Sequence, residues 1–366
     1  MSIDTQTIPQ EFYDITSGML LRAPEPQYLY SIMLMSALAA ELQVPDSLGL
    51  AVGDRAIGGQ GADYGNVEGD RLLLGDPISA EVFDAKVDFD GAPGTQMKFN
   101  RPSFTDSVYT KASRLLNSMS SVSSTAMSVT SQQTTMTLER IGGPHNGTNV
   151  APLSVDKFSA KLGVHNLVKI AKRHLVRDFW KTTDSLVRAT IDSASAANVV
   201  YPDGMTADDD ATTKTSYPLD YETISRTAKN MDEANLPTLG DGRRILVVTP
   251  SGYNQLKQDP AFQRYAEFHK EVNPLFTGSY MRSLPEFHVF KSNTLTKSTN
   301  SSSVKVHYGH AIAPGALGCG MADAPRVVPN SNDQYGEEAI VIWRMYLALG
   351  ALDGSFLYSV RHSEGL

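Results

Sequence analysis

The sequence has almost no cysteine, no long apolar run and no excess of positive charge, and each absence removes a class of protein. Cys319 is the one cysteine among 366 residues, so no disulfide can form within a chain and a reducing compartment is expected. The net charge of -8 argues against a free-standing nucleic-acid-binding module, because neutralising phosphates requires a basic surface. The length of 366 residues is enough for two or three compact units, and a hydrophobic content of 41% is enough to bury a core.

Nothing in the sequence resembles a membrane span or a signal peptide. The nearest approach to a span is residues 29–40, LYSIMLMSALAA, which ends at Glu41. It is shorter than the roughly 20 apolar residues that cross a bilayer. The first residues are polar and acidic, unlike a secretory signal. We therefore expect no membrane association and predict that residues 29–40 form a helix packed against protein.

Familiar catalytic and ligand-binding motifs are also missing. There is no G-x-S-x-G elbow, Walker loop, HExxH or pair of cysteine ligands. His307 and His310 lie three residues apart in a predicted strand, so they face opposite sides and should not share a metal. Ser251 follows a strand in a pattern typical of a helix cap. We predict no catalytic residue, metal or cofactor; the alternative is an α+β hydrolase or transferase in which Ser251, Cys319 and one histidine converge.

The stretch 241–290 is the part of the chain with the clearest start and stop signals. Residues 245–248, ILVV, follow an Asp-Gly turn and are typical of a buried strand. Two helices are then predicted to begin with a capping side chain followed by proline, at Thr249–Pro250 and Asp259–Pro260. A glycine-containing turn leads to a further short strand at 287–290.

This order of elements resembles the A-domain segment of the major capsid proteins of tailed bacteriophages, which share the Hong Kong 97-like capsid fold. The likeness also rests on Tyr253 and Leu256 in the first of the two helices. It is clearest over residues 221–360 and weaker over 84–193. It implies an α+β structural protein that self-assembles into an icosahedral head shell around double-stranded DNA. Such a protein is located in the virion and is assembled in the bacterial host cytoplasm.

A polar hairpin is predicted before the middle of the chain. Residues 84–104 and 134–141 alternate as strands do, and the low-complexity segment 117–133, NSMSSVSSTAMSVTSQQ, lies between them. A polar hairpin without a core of its own is marginal in water and needs a surface to lie on. The resemblance implies that this is the E-loop, which lies across a neighbouring subunit. The candidate intersubunit residues are Met136, Leu138 and Arg140.

The longest helical pattern covers residues 166–193. Its apolar positions recur every four residues: Leu167, Ala171, Leu175 and Phe179. Its basic positions recur in the same way but displaced by two, almost on the opposite face: Lys169, Arg173, Arg177 and Lys181. The resemblance implies that this is the spine helix of the P-domain, on the inner side of the shell. Its basic face either contacts packaged DNA or an acidic partner, or is a solvated face with Asp178 and Asp184 nearby.

The resemblance divides the chain into five regions. They are an N-terminal arm and helix (1–83), an E-loop β-hairpin (84–148), a P-domain with the spine helix (149–237), an A-domain (238–328) and C-terminal strands returning to the P- or A-domain (329–366). At the end of the chain, residues 339–349 and 355–360 flank the turn signal Asp353–Gly354. They are expected to form either a hairpin or two strands in different sheets.

The partners follow from the same resemblance. Copies of the chain are expected to form pentamers and hexamers in a closed shell that encloses double-stranded DNA without sequence-specific binding. A separate scaffolding protein, a portal and a decoration protein are further expected partners. The remaining alternative among virion proteins is a tail tube or sheath subunit, which would form open cylinders.

Overall fold

The computed structural model describes residues 28–42, 82–86, 96–103, 130–146, 149–150, 153–156, 167–263, 284–329 and 338–365. The helices are α1 (Leu29–Leu42), α2 (Leu167–Ala194), α3 (Tyr221–Glu233) and α4 (Pro250–Gln258). Residues 260–263 are also helical. None of the helices within these ranges combines the length and apolar character needed to cross a membrane.

The strands are numbered in chain order. They are β1 (Phe83–Lys86), β2 (Gln96–Ser103), β3 (Thr130–Thr137), β4 (Glu139–Gly143), β5 (His145–Asn146), β6 (Asn149–Val150), β7 (Leu153–Asp156), β8 (Val199–Val200), β9 (Arg244–Val248), β10 (Phe287–Lys291), β11 (Lys297–Thr299), β12 (Lys305–Ile312), β13 (Leu317–Pro329), β14 (Glu338–Ala351) and β15 (Leu357–Ser363).

The first sheet is built around β14. This strand pairs antiparallel with β13 on one edge and with β4 and β7 along the other, while β1 pairs parallel with β13. The β13–β14 ladder runs from the pair Leu317–Ala351 to the pair Pro329–Val341, with irregularities between Met321 and Arg326. Two further hairpins, β2–β3 and β5–β6, pair only with themselves among the described strands.

The second sheet has the strand order β10–β9–β12–β15–β8, with β11 also paired to β12. The β9–β10 and β8–β15 pairs are parallel, and β12 is antiparallel to its neighbours. The two C-terminal strands thus join different sheets, β14 the first and β15 the second. Of the two interpretations of the C-terminus, the hairpin is wrong, because each strand finds its partners in another sheet. Region 238–328 likewise supplies strands to both sheets, since β13 pairs with β14.

The elements predicted from local signals are present. The periodic segment 166–193 is helical as α2, which at about 1.5 Å per residue is roughly 42 Å long. The Thr249 hydroxyl accepts a hydrogen bond from the Gly252 N–H at 3.2 Å, and Pro250 opens α4. Asp259 in turn accepts from the Ala261 N–H at 2.9 Å where the next helical segment begins. Residues 117–129 of the predicted hairpin tip, and residues 264–283, lie outside the described residues.

Helix α1 is held inside the subunit. Every side chain of α1 whose burial the structure describes is buried, among them Tyr30, Met33 and Leu34 at 0% exposure, as expected for a helix packed against protein. It packs against α2, β1 and β13. The predicted helix over 29–40 therefore does pack against protein.

A buried carboxylate caps the N-terminal end of α1. Asp184 of α2, 1% exposed, accepts hydrogen bonds through Oδ1 from the N–H groups of Tyr30 (2.9 Å) and Ser31 (3.4 Å). The first N–H groups of a helix have no partner within the helix, and a negative charge there is favourable. Burial raises the pKa of Asp184, while the nearby Thr294 hydroxyl and the Ser31 and Tyr30 N–H groups oppose that rise. Asp184 therefore holds α1 against α2.

A second buried chain of polar groups connects α1 with the second sheet. The Tyr30 hydroxyl lies within hydrogen-bond distance of His310 Nδ1 in β12, and His310 Nε2 lies 2.8 Å from Asp192 Oδ1 of α2. Burial raises the pKa of Tyr30, and the nearby carboxylates Asp184 and Asp192 raise it further, so the hydroxyl stays protonated and can donate. Burial alone would raise the pKa of Asp192, but hydrogen bonds from His310 and Thr296 lower it.

We predict that Asp184→Ala destabilises the unassembled subunit by about 2 kcal/mol, because it leaves buried N–H groups of α1 without an acceptor. Urea denaturation followed by circular dichroism measures the change. Ser193→Ala, at an exposed position of the same helix, is the matched control and should stay within about 0.5 kcal/mol of the unchanged protein. Equal unfolding midpoints for the two variants would contradict the capping role.

Candidate functional site

One side of α2 is an exposed stripe of basic residues. Arg173, Arg177 and Lys181 are exposed and lie four residues apart, whereas Ala171, Leu175 and Phe179 are buried: the two-faced helix predicted from the sequence is confirmed in this respect. Lys169 occupies the preceding position of the same stripe, in the first turn of α2. The contacts of these four residues with DNA or an acidic partner stay a prediction. We call this set the basic stripe.

The two carboxylates near the stripe each accept a hydrogen bond from a neighbouring element, and a solvated face stays the alternative to a contact with DNA or an acidic partner. Asp178 Oδ2 accepts a hydrogen bond at 2.8 Å from Nε1 of the fully buried Trp343 in β14. Asp184 caps α1. The Phe179 ring packs edge-on against Trp343, with ring centroids 5.2 Å apart. The stripe therefore runs along a helix whose opposite side is fixed to the first sheet by both apolar and polar contacts.

The β2–β3 hairpin is anchored to the first sheet at one end. Met97, Phe99 and Met136 are buried together with Ala348 of β14. Leu138 and Leu352 pack at the edge of this cluster. The buried residues come from the end of the hairpin where Gln96 pairs with Thr137, next to β4. The hairpin therefore has a small apolar base of its own.

Two glycines make room for Met136. Gly318 and Gly350 are paired across β13 and β14. A Cβ on Gly318 would lie 2.6 Å from Met136 Cε, and a Cβ on Gly350 would lie 3.1 to 3.2 Å from three Met136 atoms. Both distances are shorter than ordinary van der Waals contacts, so a side chain at either position would require Met136 to shift, and at Gly318 Leu352 as well, whose Cδ2 would lie 3.0 Å away. We call these two residues the glycine seat.

The predicted E-loop residues have different surroundings. Met136 is 4% exposed and packs within its own chain, Leu138 is half-buried, and Arg140 is exposed in β4 opposite Tyr346. Their intersubunit role stays a prediction. The glycine seat was not identified from the sequence, because nothing in the local pattern shows that Gly318 and Gly350 become neighbours.

The residues considered for catalysis do not converge. Cys319 is fully buried in β13 of the first sheet. His310, in β12 of the second sheet, contacts Tyr30 of α1 and Asp192 of α2. The Ser251 hydroxyl donates to the main-chain carbonyl of Glu364. Among the described residues, no three histidine, cysteine, aspartate or glutamate side chains group as a metal site.

The closest approach to a catalytic cluster involves Thr249. Its Oγ1 lies 3.0 Å from His307 Nδ1 and 3.4 Å from His362 Nε2, but it also caps α4. All three residues are at most 4% exposed, so a substrate has no route to the hydroxyl. The His362 Nδ1–H donates to the Ser363 carbonyl at 2.8 Å. The cluster is a buried packing contact between β12, β15 and α4.

Both histidines of this cluster are held neutral. Burial lowers the pKa of His307 from 6.5 to about 4, and Lys297 and Lys305 lower it while Glu364 opposes them. Burial lowers the pKa of His362 to about 3, with the Ser363 carbonyl opposing the shift and His307 adding to it. Charging either ring would place a cation in an apolar interior.

The comparisons with known proteins point to phage capsids. A family model described as phage capsid protein matches residues 159–360. The capsid of the cyanophage P-SCSP1u is similar in structure, with a TM-score of 0.57, 12% identity and coverage of 84% of this chain and 93% of that one. The capsid of Ralstonia phage GP4 is similar with a TM-score of 0.53 and 14% identity, and the match covers 77% of this chain and 87% of that one. The capsid of cyanophage Pam1 is similar with a TM-score of 0.55 and 9% identity, and the match covers 78% of this chain and 89% of that one. No curated protein matches the sequence.

We predict that Met136→Ala releases the hairpin base from the first sheet, because it empties the glycine seat at a cost of about 2 kcal/mol or more. Faster amide hydrogen exchange in β2 and β3 of the unassembled subunit would report the release. Thr135→Ala, exposed on the other face of the same strand, is the matched control and should not change exchange.

A size swap completes this test. Gly350→Ala should destabilise the chain that retains Met136, but should be tolerated together with Met136→Ala, because all three atoms nearest to the added methyl group belong to Met136 and the methyl then occupies the vacated space. Equal effects of Gly350→Ala in both backgrounds would contradict the seat.

We predict that the subunit loses stability as the pH falls from about 6.5 towards 3. The pKa values of His307 and His362 are lower in the folded state than the ordinary histidine value of 6.5. As the pH falls below 6.5, these histidines therefore bind protons in the unfolded chain before they do so in the folded one, and the unfolded chain is stabilised relative to the folded one. Urea midpoints at pH 7 and pH 5 measure this loss. In His307→Gln the difference between the two midpoints should shrink, whereas the exposed control His174→Gln should keep it. An unchanged difference in His307→Gln would show that other groups cause the acid sensitivity.

Proposed function

Because the chain belongs to the phage capsid protein family and is a major capsid protein of the head shell, with an α+β Hong Kong 97-like fold, we propose that its basic stripe and its hairpin are assembly surfaces. The family makes the chain a structural component of the virion capsid. Its function then depends on contacts between molecules. The tail-subunit and hydrolase hypotheses are not retained.

We propose that the hairpin reaches from its anchored base across a neighbouring copy. The apolar side chains Met97, Phe99 and Met136 secure the base. The sequence 117–133 at the other end consists mainly of serine, threonine, glutamine and methionine, and provides few large apolar side chains. A neighbouring subunit would supply the surface that such a segment needs. Contacts of this kind are heterologous, and rings of five and six copies would close them into a shell.

We propose that the basic stripe faces the interior of the shell and contacts the enclosed double-stranded DNA. The observation that carries this is the row of exposed cations Arg173, Arg177 and Lys181 on one side of a helix fixed rigidly from behind. Residues four apart rise about 6 Å along a helix, so the stripe offers a regular line of positive charge to phosphates. None of this requires base recognition, which agrees with a shell that holds any packaged sequence.

We propose three further protein partners for the shell. An acidic scaffolding protein could occupy the same stripe before DNA enters. A portal and a decoration protein would contact other parts of the shell. Assembly in the bacterial host cytoplasm is consistent with the single, buried Cys319.

We predict that Arg173→Glu with Arg177→Glu leaves the fold within about 0.5 kcal/mol per substitution but reduces the yield of DNA-filled particles. Phage carrying the variant would be examined by negative-stain electron microscopy and by the ratio of absorbance at 260 and 280 nm. Lys214→Glu with Lys229→Glu makes the same change in charge at exposed positions away from α2 and should package normally.

The kind of particle that the variant forms distinguishes a DNA contact from a contact needed for assembly. Empty shells of normal diameter would indicate the DNA contact, whereas absence of closed shells would indicate a contact needed for assembly. A normal yield of filled particles would remove the functional role of the stripe.

A further inference from the structure

The face of the first sheet that points away from α2 carries three arginines. Side chains alternate along β14, so Trp343, which packs against α2, and Arg344 lie on opposite faces. Arg344 is paired with Arg326 of β13, and Tyr346, two residues further along β14, is paired with Arg140 of β4. Residues that are paired across neighbouring strands share a face. We call Arg140, Arg326 and Arg344 the arginine patch.

The arrangement of the arginine patch favours an anionic partner. Arg326 lies directly opposite Arg344, and like charges in that position destabilise a sheet. On its other side Arg344 faces Gly142, which has no side chain to cover it. Asp323, paired with Tyr346, is one acidic residue beside three cationic ones. Carboxylates from another molecule would offset the repulsion between the arginines.

The position of the patch indicates a protein partner rather than DNA. Ala348 follows Tyr346 on the same face of β14 and packs with Met136, so the patch lies beside the base of the hairpin. The basic stripe runs along the exposed side of α2, and the buried side of α2 packs against the opposite face of this sheet. The helix and the sheet therefore separate the stripe from the patch. A duplex that contacts the stripe does not reach the arginine patch.

A surface of opposite charge lies in the loop between β8 and α3. Four of the eight residues 203–210 are aspartate, and residues 201–213 contain no lysine or arginine. Asp203 and Asp209 are exposed, whereas Asp208 is paired with Arg361 of its own chain. Hydrogen bonds from Thr206 and Ala207 hold the pKa of Asp210 below its usual range, so this side chain stays charged. We call residues 203–210 the acidic loop.

The acidic loop is fixed to the second sheet. Met205 and Ala211 are buried in a cluster with Val304 and Val306. Asp209 also accepts a hydrogen bond at 3.1 Å from the Ser301 N–H. The arginine patch belongs to the first sheet, so the loop and the patch of one copy are held on different parts of the subunit. A contact between the two surfaces therefore joins two copies of the chain.

We propose that the arginine patch of one copy binds the acidic loop of a neighbouring copy in the shell. A guanidinium group can hold a carboxylate through two parallel hydrogen bonds, which gives such a contact direction as well as charge. The contact is heterologous, because each copy offers its patch to one neighbour and its loop to another. It rests on the self-assembly of phage capsid proteins and is independent of the proposed DNA contact and of the hairpin tip.

Exchanging the charges of the two surfaces tests the proposal. Arg326→Glu with Arg344→Glu, and separately Asp203→Arg with Asp209→Arg, are introduced into the phage, and closed shells are counted by negative-stain electron microscopy. Each pair should lower the yield of closed shells about ten-fold or more, because like charges then meet at the contact. All four substitutions together restore opposite charges and should return the yield to within about three-fold of the unchanged phage.

Lys229→Glu with Lys297→Glu is the matched control. Both lysines are exposed and lie outside the patch, so the same change in charge should leave the yield of shells unchanged. Thermal unfolding of the unassembled subunit establishes that each variant is folded. If the Arg344→Glu chain does not fold, Arg326→Glu and Asp203→Arg, both at exposed positions, form the exchange instead.

The outcomes separate this contact from the others. A normal yield of shells from the folded Arg326→Glu, Arg344→Glu variant would overturn the proposal, and so would a combined variant that does not recover. Shells that close normally but lack DNA would assign the patch to DNA, against the proposal. Asp203→Arg with Asp209→Arg should not rescue the packaging defect expected of Arg173→Glu with Arg177→Glu, so the two proposals fail independently.

Discussion

The rest of the structure depends on how α2 holds the elements around it through aspartates that face inward. A 28-residue helix could be fixed by apolar packing alone, and Leu175, Phe179 and Ile191 do supply that packing. The hydrogen bonds made by its aspartates add directional contacts to particular partners. Asp178 binds Trp343 of the first sheet, Asp184 caps α1, and Asp192 binds His310 of the second sheet. One helix therefore sets the positions of α1 and both sheets relative to one another.

These contacts explain why α1 can be a core helix. The first N–H groups of any helix lack internal partners, and burying them without an acceptor is costly. Asp184 supplies that acceptor, and the Tyr30 hydroxyl continues the polar chain to His310. The cost of burying the carboxylate is partly offset by these N–H donors and by the positive end of the helix dipole. The N-terminal helix is thus bound into the fold by more than its apolar surface.

Sequence periodicity predicted the elements but not these connections. The four-residue repeat of Leu167 to Phe179 fixes which side of α2 is buried, and Thr249–Pro250 fixes where α4 begins, because both signals are local. The same periodic pattern assigns charged residues to solvent, so the inward positions of Asp178, Asp184 and Asp192 could not be predicted from it.

Other features depend on pairing between distant strands. Gly318 and Gly350 acquire their role only when β13 and β14 are in register, and Met136 then sits over both. The turn signal at Asp353–Gly354 predicts a reversal, yet it cannot tell that β14 and β15 enter different sheets. In this chain, therefore, local signals define the elements, and long-range register defines the sites.

The placement of charge on α2 bears on the DNA contact that we propose. The stripe presents exposed cations at Arg173, Arg177 and Lys181, and attraction between such cations and phosphates is non-specific and weakened by salt. Since the chain carries a net charge of -8, repulsion elsewhere on its surface would keep the proposed contact weak.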